Sequence, residues 1–354
     1  MTDPDGNGAE PVLPGIDRTR LSVWYGANIP GTELPLSFEL IAGGRSNLTY
    51  RVVDAAGHAT VLRRPPTGQL LPTAHDMARE HRLIAALGPA GVPVPPALGL
   101  CTDEKVTGSP FYVMGFVDGF VVRTAEQAQA AWGLETRRSV ARSLVETLAR
   151  IHSVDPDAAG LGDLSRREGY VARQLKRWYA QYQASRDEGG GPDIGLLDEI
   201  HLLLSTSIPE QGPATVVHGD YRLDNTVVGR DHTIKAVLDW ELCTLGDPMA
   251  DLGALLAYWN EPGEESPLGQ SATGAEGFPL RAEVADMYAD ASGRDLSQLD
   301  YYYAFAVWKV ACILEGVYVR YVAGAMGEAG FDYSFYPAAI EGLAKRAHDA
   351  LTAG

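Results

Sequence analysis

The chain has 354 residues, of which 45% are hydrophobic and 21% are charged, and its formal net charge at pH 7 is −17. This length and balance are typical of a globular protein with one large domain or two smaller ones. The excess of negative charge argues against nucleic acids and anionic membrane surfaces as partners, because both are polyanions.

The compartment is predicted from the cysteines and the N-terminal residues. The 3 cysteines are scattered and form no C-x-x-C pair, so neither a disulfide framework nor a zinc site is indicated. The stretch MTDPDGNGAEP is acidic and lacks the apolar segment of a signal peptide. No uninterrupted apolar run is long enough for a membrane span. We expect a cytoplasmic protein with a disordered lead over residues 1–15.

The next segment, residues 16–115, is predicted to be a small antiparallel sheet with one main helix. FELIAGGRSNLTYRVVD indicates two strands around a glycine turn, and HATVLRRPP, GVPVPPALGLC and PFYVMGFVDGF indicate one strand each. In TAHDMAREHRLIAALGPAG, the residues Met77, His81, Ile84 and Leu87 recur at helical spacing, and a Gly-Pro pair follows.

The remainder, residues 116–354, is predicted to be a large and mostly helical lobe. Apolar residues recur at helical spacing in SVARSLVETLARIHSVDP, GYVARQLKRWYAQYQAS, LDEIHLLLSTSI, ADLGALLAYW and DYYYAFAVWKVACILEGVYVRYVAGA. The aromatic residues of the last segment are expected in the core. NEPGEESPLGQSATGAEGF is a polar loop long enough to be functional. A cleft between the two lobes is the expected ligand site.

Two polar stretches interrupt the helical lobe between apolar runs. HGDYRLDN occupies residues 218–225, and AVLDWE occupies residues 236–241, one predicted hairpin later. The hairpin is expected to bring Asp220, Asn225 and Asp239 together. Carboxylate and carboxamide oxygens suit Mg²⁺, and a further carboxylate can accept the proton of a hydroxyl. These groups together predict phosphoryl transfer.

The pattern H-G-D-x-x-x-x-N, followed by D-W-E and G-D-P-M-A-D-L, resembles the aminoglycoside phosphotransferase and choline kinase-like family over about residues 36–350. VLRRPPTGQLLPTAHDMAREHRLIAAL, YVARQLKRWYAQY and LDWELCTLGDPMADL look closer to the branch that includes the kinase-like domains fused to some acyl-CoA dehydrogenases. The resemblance implies an α+β, two-lobed protein-kinase-like fold. It also implies a small-molecule kinase that uses ATP and Mg²⁺.

The resemblance implies a role for each matching residue. Asp220 would be the catalytic base with His218 beside it, and Asn225 and Asp239 would hold Mg²⁺. The nucleotide-binding residues that it implies are Gly43, Gly44, Arg45, Ser46 and Asn47 in a loop over the phosphates, Arg63 with Glu80 as its ion-pair partner, and the hinge from Met114 to Phe116. Two features depart from the family pattern: the loop lacks G-x-G-x-x-G, and arginine stands at the lysine position.

Several of these residues also have a structural interpretation. His218 could brace the loop through hydrogen bonds, and Asn225 could be a turn residue. The glycine pair at 43–44 could form an ordinary hairpin turn, and Arg63 with Glu80 could be a surface ion pair.

Other residues near the motifs are expected to act structurally or are left open. Asp251 is expected to cap its helix or brace the catalytic loop, Asp247 with Pro248 is expected to form a turn and helix start, and Glu241 is left open. The basic residues Arg173, Lys176 and Arg177 form either a solvated helix face or a contact for an anionic substrate.

Three functions compete on this sequence. The first is phosphoryl transfer to the hydroxyl of a small molecule, with a metabolite such as a hydroxyacyl thioester favoured over an aminoglycoside-like antibiotic. The second is a nucleotide-binding sensor without transfer, which the intact Asp220, Asn225 and Asp239 disfavour. The third is a protein kinase, which is disfavoured because only 11 residues separate Asp239 from Asp251.

Overall fold

The computed structural model describes residues 13–42, 47–67, 76–188, 192, 194–264, 266–269, 271–325 and 331–353. Most of the predicted N-terminal lead lies outside these residues, as do Gly43, Gly44, Arg45 and Ser46 of the predicted phosphate loop. The chain divides into two compact units. The sheet unit comprises Met1–Gly88 with Val94–Val117, and the helical unit comprises Pro89–Pro93 with Asp118–Gly354.

The sheet unit contains a five-stranded antiparallel sheet in the order β1-β2-β3-β5-β4. Its strands are β1 (Ser37–Ala42), β2 (Leu48–Val53), β3 (Ala59–Arg64), β4 (Ala97–Cys101) and β5 (Phe111–Gly115). All five segments were predicted as strands. The last one is shorter than predicted, because β5 ends at Gly115 and does not continue to Phe120.

Three helices accompany this sheet: α1 (Arg18–Asn28), α2 (Met77–Leu87) and α3 (Glu104–Thr107). The predicted helix α2 begins at Asp76, whose side chain accepts a hydrogen bond from the backbone N–H of Arg79 at 3.0 Å. Helix α1 was not predicted. It buries Leu21 and Tyr25 in a core shared with strand residues such as Tyr50.

The helical unit carries eight further helices and four short strands among its described residues. The helices are α4 (Ala125–Ala131), α5 (Leu134–Ser153), α6 (Tyr170–Glu188), α7 (Gly195–Thr206), α8 (Pro248–Ala257), α9 (Arg281–Ser292), α10 (Leu299–Val322) and α11 (Tyr336–Thr352). The strands are β6 (Thr215–Val217), β7 (Thr226–Val228), β8 (Ile234–Val237) and β9 (Thr244–Gly246). The helices predicted at α5, α6, α7, α8 and α10 are present.

Helix α10 forms the centre of the helical unit. It buries Tyr301, Tyr302 and Trp308, as expected, whereas Tyr303 and Tyr318, also expected in the core, are only partly buried. By length and composition alone α10 could cross a membrane, but 67% of its apolar window is buried inside the structure. A helix that is apolar on most of its faces is expected to be buried within the unit.

Two pairs of short strands position the polar stretches. β6 pairs with β9, and β7 pairs with β8, in both cases antiparallel. The β7–β8 hairpin matches Thr226 with Val237, so the residue before β7 and the residues after β8 emerge at the same end. The backbone N–H of Leu238 donates to the carbonyl of Asn225 at 2.8 Å and closes that end.

Candidate active site

The loop from His218 to Asn225 connects β6 to β7, and its turn requires glycine. Gly219 has a φ of +87°, in the left-handed region that other residues rarely adopt. A Cβ at this position would lie 2.8 Å from the carbonyl oxygen of Leu242. The close approach of the two backbones explains why the loop has glycine where the protein-kinase pattern has arginine.

Asp251 of α8 braces this loop by accepting two of its backbone N–H groups. Its Oδ2 accepts the backbone N–H of His218 at 2.5 Å, and its Oδ1 accepts the backbone N–H of Gly219 at 2.8 Å. The side chain is 1% exposed, and its Oδ2 also lies 3.3 Å from Nε2 of His152 on α5. Burial alone would raise the pKa of Asp251, but His152 and the Gly219 N–H outweigh it and the pKa is lowered. The predicted bracing role is confirmed.

The His218 ring is buried and holds the loop through backbone contacts. Its Nδ1 accepts the backbone N–H of Asp220 at 3.2 Å, and its Nε2 donates to the carbonyl of Leu238 at 2.9 Å. Both contacts are satisfied by one neutral tautomer. This geometry supports the bracing interpretation of His218, since neither nitrogen is left to touch a substrate.

The Asp220 carboxylate is fixed by two neighbours. Nδ2 of Asn225 donates to Oδ2 of Asp220 at 2.8 Å and to the Asp220 carbonyl at 2.8 Å. On the other side, Nε of Arg222 lies 3.3 Å from Oδ1 of Asp220. The side chain of Asp220 is 26% exposed, so the carboxylate remains accessible.

Arg222 joins Asp220 to a second carboxylate and a tyrosine. Its Nη1 lies 3.3 Å from Oδ2 of Asp224, and its guanidinium lies over the ring of Tyr258 at 4.9 Å. Burial, followed by the neighbouring Asp220, raises the pKa of Tyr258 to about 12. Arg222 was not among the predicted site residues, although a charged residue between two motif positions was a usable signal.

Asp239 follows β8 directly and has a left-handed backbone, with φ and ψ both 63°. Aspartate is one of the few residues that enter this region readily. The hairpin therefore delivers Asp239 to the same end as Asn225, as predicted. Asn225 uses its amide nitrogen on Asp220, which leaves its carbonyl oxygen Oδ1 for other ligands.

The donor set at the hairpin end fits a hard divalent cation. A carboxylate from Asp239 and a carboxamide oxygen from Asn225 are ligands that Mg²⁺ accepts, with water and phosphate oxygens completing its shell. No cluster of three or more His, Cys, Asp or Glu side chains suited to a metal ion occurs in the described part of the chain. The pair at 225 and 239 remains the predicted site.

In the sheet unit, Glu80 of α2 organises a buried polar cluster. It is 2% exposed, and its Oε2 lies 3.0 Å from Nε of Arg63 and accepts the Tyr112 hydroxyl at 3.1 Å. Its Oε1 accepts Nδ2 of Asn47 at 3.0 Å. Arg63 and Tyr112 are cross-strand partners on β3 and β5. The predicted Arg63–Glu80 pair is present and is buried, so the surface-pair interpretation is wrong.

The remaining predicted nucleotide contacts differ in exposure. Asn47, expected over the phosphates, is buried against Glu80. Met114 is buried near the end of β5, whereas Phe116, just past the strand, is 38% exposed under the guanidinium of Arg51 at 5.2 Å. The hinge assignment of Met114 to Phe116 stays a prediction.

A cavity of about 50 Å³ lies beside Asp220 within the helical unit. Its lining includes Tyr170 of α6, Tyr258 after α8, and Phe305 and Lys309 of α10. Of the predicted basic residues, Arg177 lies over the ring of Trp178 at 5.0 Å, and Arg173 donates to the carbonyl of Arg166 at 2.7 Å. Lys309 was missed, although a lone lysine in an apolar helix was a visible signal.

Comparison with known proteins identifies the sequence family. A model of the phosphotransferase enzyme family (APH) matches residues 37–291. Acyl-CoA dehydrogenase family member 10 of Mus musculus is 37% identical over 294 residues, which cover 81% of this chain and 27% of that protein. Family member 11 of Gallus gallus is 34% identical over 319 residues, which cover 87% of this chain and 40% of that protein. The chain thus spans less than half of these relatives.

Solved structures show the same architecture. A candidate aminoglycoside phosphotransferase from Ralstonia eutropha superposes with a TM-score of 0.81 at 30% identity, covering 95% of this chain and 98% of that one. A choline kinase from Cryptosporidium parvum superposes with a TM-score of 0.65 at 14% identity, covering 94% of this chain and 96% of that one. The second likeness shows the fold alone. The predicted two-lobed kinase-like α+β fold is confirmed.

Proposed function

Since this chain belongs to the phosphotransferase enzyme family, we propose that it transfers the γ-phosphate of ATP to a hydroxyl group of a small molecule, with Mg²⁺. The observation that carries this proposal is the accessible Asp220 carboxylate, held by Asn225 at 2.8 Å on a loop braced by Asp251. A fixed carboxylate beside a cation-binding pair is what phosphoryl transfer requires.

Asp220 would accept the proton of the acceptor hydroxyl through Oδ1 or Oδ2. The acceptor oxygen would form its bond to the γ-phosphorus while the bond from that phosphorus to the bridging oxygen of ADP breaks. Asn225 keeps the carboxylate oriented, and His218 holds the backbone of Asp220 in place. Asn225 Oδ1 and Asp239 would hold Mg²⁺, which when bound supplies positive charge beside the phosphates.

Arg63 would contact phosphate oxygens of the nucleotide from the sheet unit. Its ion pair with Glu80 at 3.0 Å fixes the direction of the guanidinium. Arginine supplies a planar fork of donors where lysine would supply a point charge, and both bind phosphate. The arginine at this position is therefore compatible with nucleotide binding, and the intact motif residues favour transfer over a pure sensor.

A hydroxylated metabolite is the acceptor class that we favour over an aminoglycoside. The relatives named for acyl-CoA dehydrogenases are 32–37% identical to this chain. The structures that contain kanamycin or hygromycin B are 15–16% identical and share only the fold. A hydroxyacyl thioester is the metabolite that these relatives suggest.

The test is ATP turnover in the presence of Mg²⁺ against a panel of hydroxyacyl thioesters, hydroxy acids, sugars, choline and aminoglycosides. One acceptor class should stimulate turnover, and Asp220→Asn should lower it by about 10²- to 10⁴-fold. Calorimetry should show that the variant still binds Mg·ATP. The matched control is Asp231→Asn on the exposed β7–β8 turn, which should keep full turnover. Unchanged turnover in Asp220→Asn would remove Asp220 from its role.

A further inference from the structure

The cavity beside Asp220 is small and mostly apolar. Its volume of about 50 Å³ leaves space for a few water-sized groups. The apolar side chains on its wall are Leu242, Ala250, Ala254, Phe305, Ala306, Val310 and Ile313. A short hydrocarbon segment with one compact polar group fits this space.

Lys309 is the only cation among the described residues on the cavity wall. It lies in the middle of α10, in an otherwise apolar run. Its Nζ lies 5.5 Å from the ring centroid of Trp178 on α6. Within the described parts of the chain, Nζ makes no hydrogen bond and lies within ion-pair distance of no carboxylate. A partly buried ammonium group without such a partner is costly unless a ligand supplies one.

The surroundings of Lys309 add positive charge. Arg177 lies over the same Trp178 ring, with its guanidinium carbon 5.0 Å from the centroid. Burial lowers the pKa of Lys309. The negative charges of Asp251 and Asp220 oppose this change, and the positive charge of Arg177 adds to it. Asp251 is already committed to the backbone of the loop at 2.5 Å and 2.8 Å. Asp220 is committed to Asn225 and Arg222.

A positive side chain beside the base therefore lacks a negative partner. We propose, building on the proposed phosphotransferase function, that Lys309 binds the acyl oxygen of the acceptor and makes the enzyme specific for hydroxylated carboxylic acids or their thioesters. A free acid supplies a charged carboxylate oxygen there, and a thioester supplies a carbonyl oxygen that accepts a hydrogen bond. The acyl oxygen is bound at Lys309, and the hydrocarbon segment lies against Phe305 and Val310. The hydroxyl then faces Asp220 on the same wall.

A neighbouring cavity provides space for a larger group on the acid. Its volume is about 250 Å³, and Tyr258 lines both cavities. Arg123 lies on its wall, as do Arg222 and Asp224, which form an ion pair with each other. A thioester arm carrying phosphates suits this second cavity, and a free acid would leave it empty. The acyl oxygen at Lys309 therefore has two sources, a free acid or a thioester, which differ in what is attached to the acyl carbon.

The experiment compares kcat/KM for four acceptor sets of matched chain length: hydroxycarboxylates, their coenzyme A thioesters, diols and amino alcohols. The chain should prefer acids or thioesters to diols by at least about tenfold. Lys309→Met should lower kcat/KM for the preferred set by about 10- to 100-fold, through KM, because a charge-assisted contact is lost. Diols should change by less than about twofold. Lys345→Met, on the exposed face of α11, is the matched control and should change nothing.

Binding is measured separately by calorimetry with the hydroxycarboxylates and thioesters and without ATP. If Lys309→Met folds poorly, Lys309→Arg should retain the preference and Lys309→Gln should lose it. The ratio of thioester to free acid identifies the source of the carbonyl.

Equal losses of kcat/KM for acids, thioesters and diols in Lys309→Met would overturn the proposal and leave the kinase function intact. The same holds if the unsubstituted protein turns over all acceptor sets without preference. Lys309-dependent binding without any turnover would support the proposal and count against the kinase. Absence of both binding and turnover with every acid and thioester would overturn the proposal as well.

Discussion

The two units use buried carboxylates in different ways. In the helical unit, Asp251 accepts backbone N–H groups from His218 and Gly219 and thereby fixes the course of the main chain. In the sheet unit, Glu80 contacts the side chains of Arg63 and Asn47, and so fixes the direction of those side chains. One carboxylate positions a backbone, and the other positions a guanidinium.

The difference predicts where each unit tolerates change. A loop held through its backbone depends on the one acid that accepts its N–H groups and on the glycine that permits its turn. A side-chain cluster depends on charge balance, and an amide can replace part of it. Substitutions in the helical unit should therefore lower both stability and turnover. Substitutions in the sheet unit should weaken nucleotide binding with a smaller loss of stability.

Asp251→Ala should have the largest effect. It leaves the N–H groups of His218 and Gly219 buried without their acceptor, and it leaves His152 without its carboxylate. We expect a loss of about 3–5 kcal/mol in the free energy of unfolding, the range seen when one partner of a buried charged network is removed. Urea denaturation measures it. Asp231→Asn on the exposed turn should leave the urea midpoint almost unchanged.

Glu80→Gln should have a smaller effect on stability and a clear one on nucleotide binding. The amide can still accept a hydrogen bond, but the charge of the Arg63–Glu80 ion pair is lost on the glutamate side. We expect a loss of about 2–3 kcal/mol in the free energy of unfolding, together with weaker Mg·ATP binding by calorimetry. The control is Glu39→Gln, because Glu39 is exposed and lies 3.8 Å from Arg51. Equal losses in both variants would contradict the distinction between the two pairs.

Gly219→Ala tests the backbone part of the comparison. The new Cβ would lie 2.8 Å from the Leu242 carbonyl, on a residue with a φ of +87°. We expect a loss of about 1–3 kcal/mol in the free energy of unfolding, with a drop in turnover because Asp220 follows directly. The control is Gly293→Ala, which has a similar left-handed φ of 66° but open space around it. If both variants retain full turnover, the close approach to Leu242 is unimportant for Asp220.

The smallest effect concerns pH. Burial lowers the pKa of His152, although Asp251 opposes that change. The unfolded state then binds a proton below about pH 6.5 that the folded state does not, so stability falls as the pH falls through this range. Between pH 7.5 and 5.5, we expect the free energy of unfolding to fall by about 1 kcal/mol less in His152→Gln than in the unsubstituted protein. Urea midpoints across that range measure the slope.

Much of the architecture was predictable because its signals are local. The strands of the sheet unit alternate or are bounded by Gly and Pro, and α2 and α5 have clear apolar faces. The polar loop was predictable because costly side chains stood between two apolar runs. The hairpin geometry followed from the short spacing between Asn225 and Asp239.

Other features depend on contacts that the sequence does not display. Helix α1 buries only Leu21 and Tyr25, a pattern too weak to mark a helix beforehand. The burial of Asn47 against Glu80 arises from packing between the start of β2 and α2. The position of Lys309 on the cavity wall depends on the packing of α10 against the loop and α6, which the sequence does not show. The roles assigned to Gly43, Gly44, Arg45 and Ser46 stay predictions.

The attachment of the catalytic loop has a consequence for how this protein can diversify. Asp251 contacts His152, and His152 contacts the hydroxyl of Tyr288 at 2.7 Å, so the loop is anchored to the interior of three helices. The cavity wall also includes side chains of α10, such as Phe305 and Lys309, that make no hydrogen bond to this loop. Replacing those side chains alters which molecule enters and leaves the base where it is. Selection can thus explore new acceptors in this scaffold without rebuilding the chemistry each time.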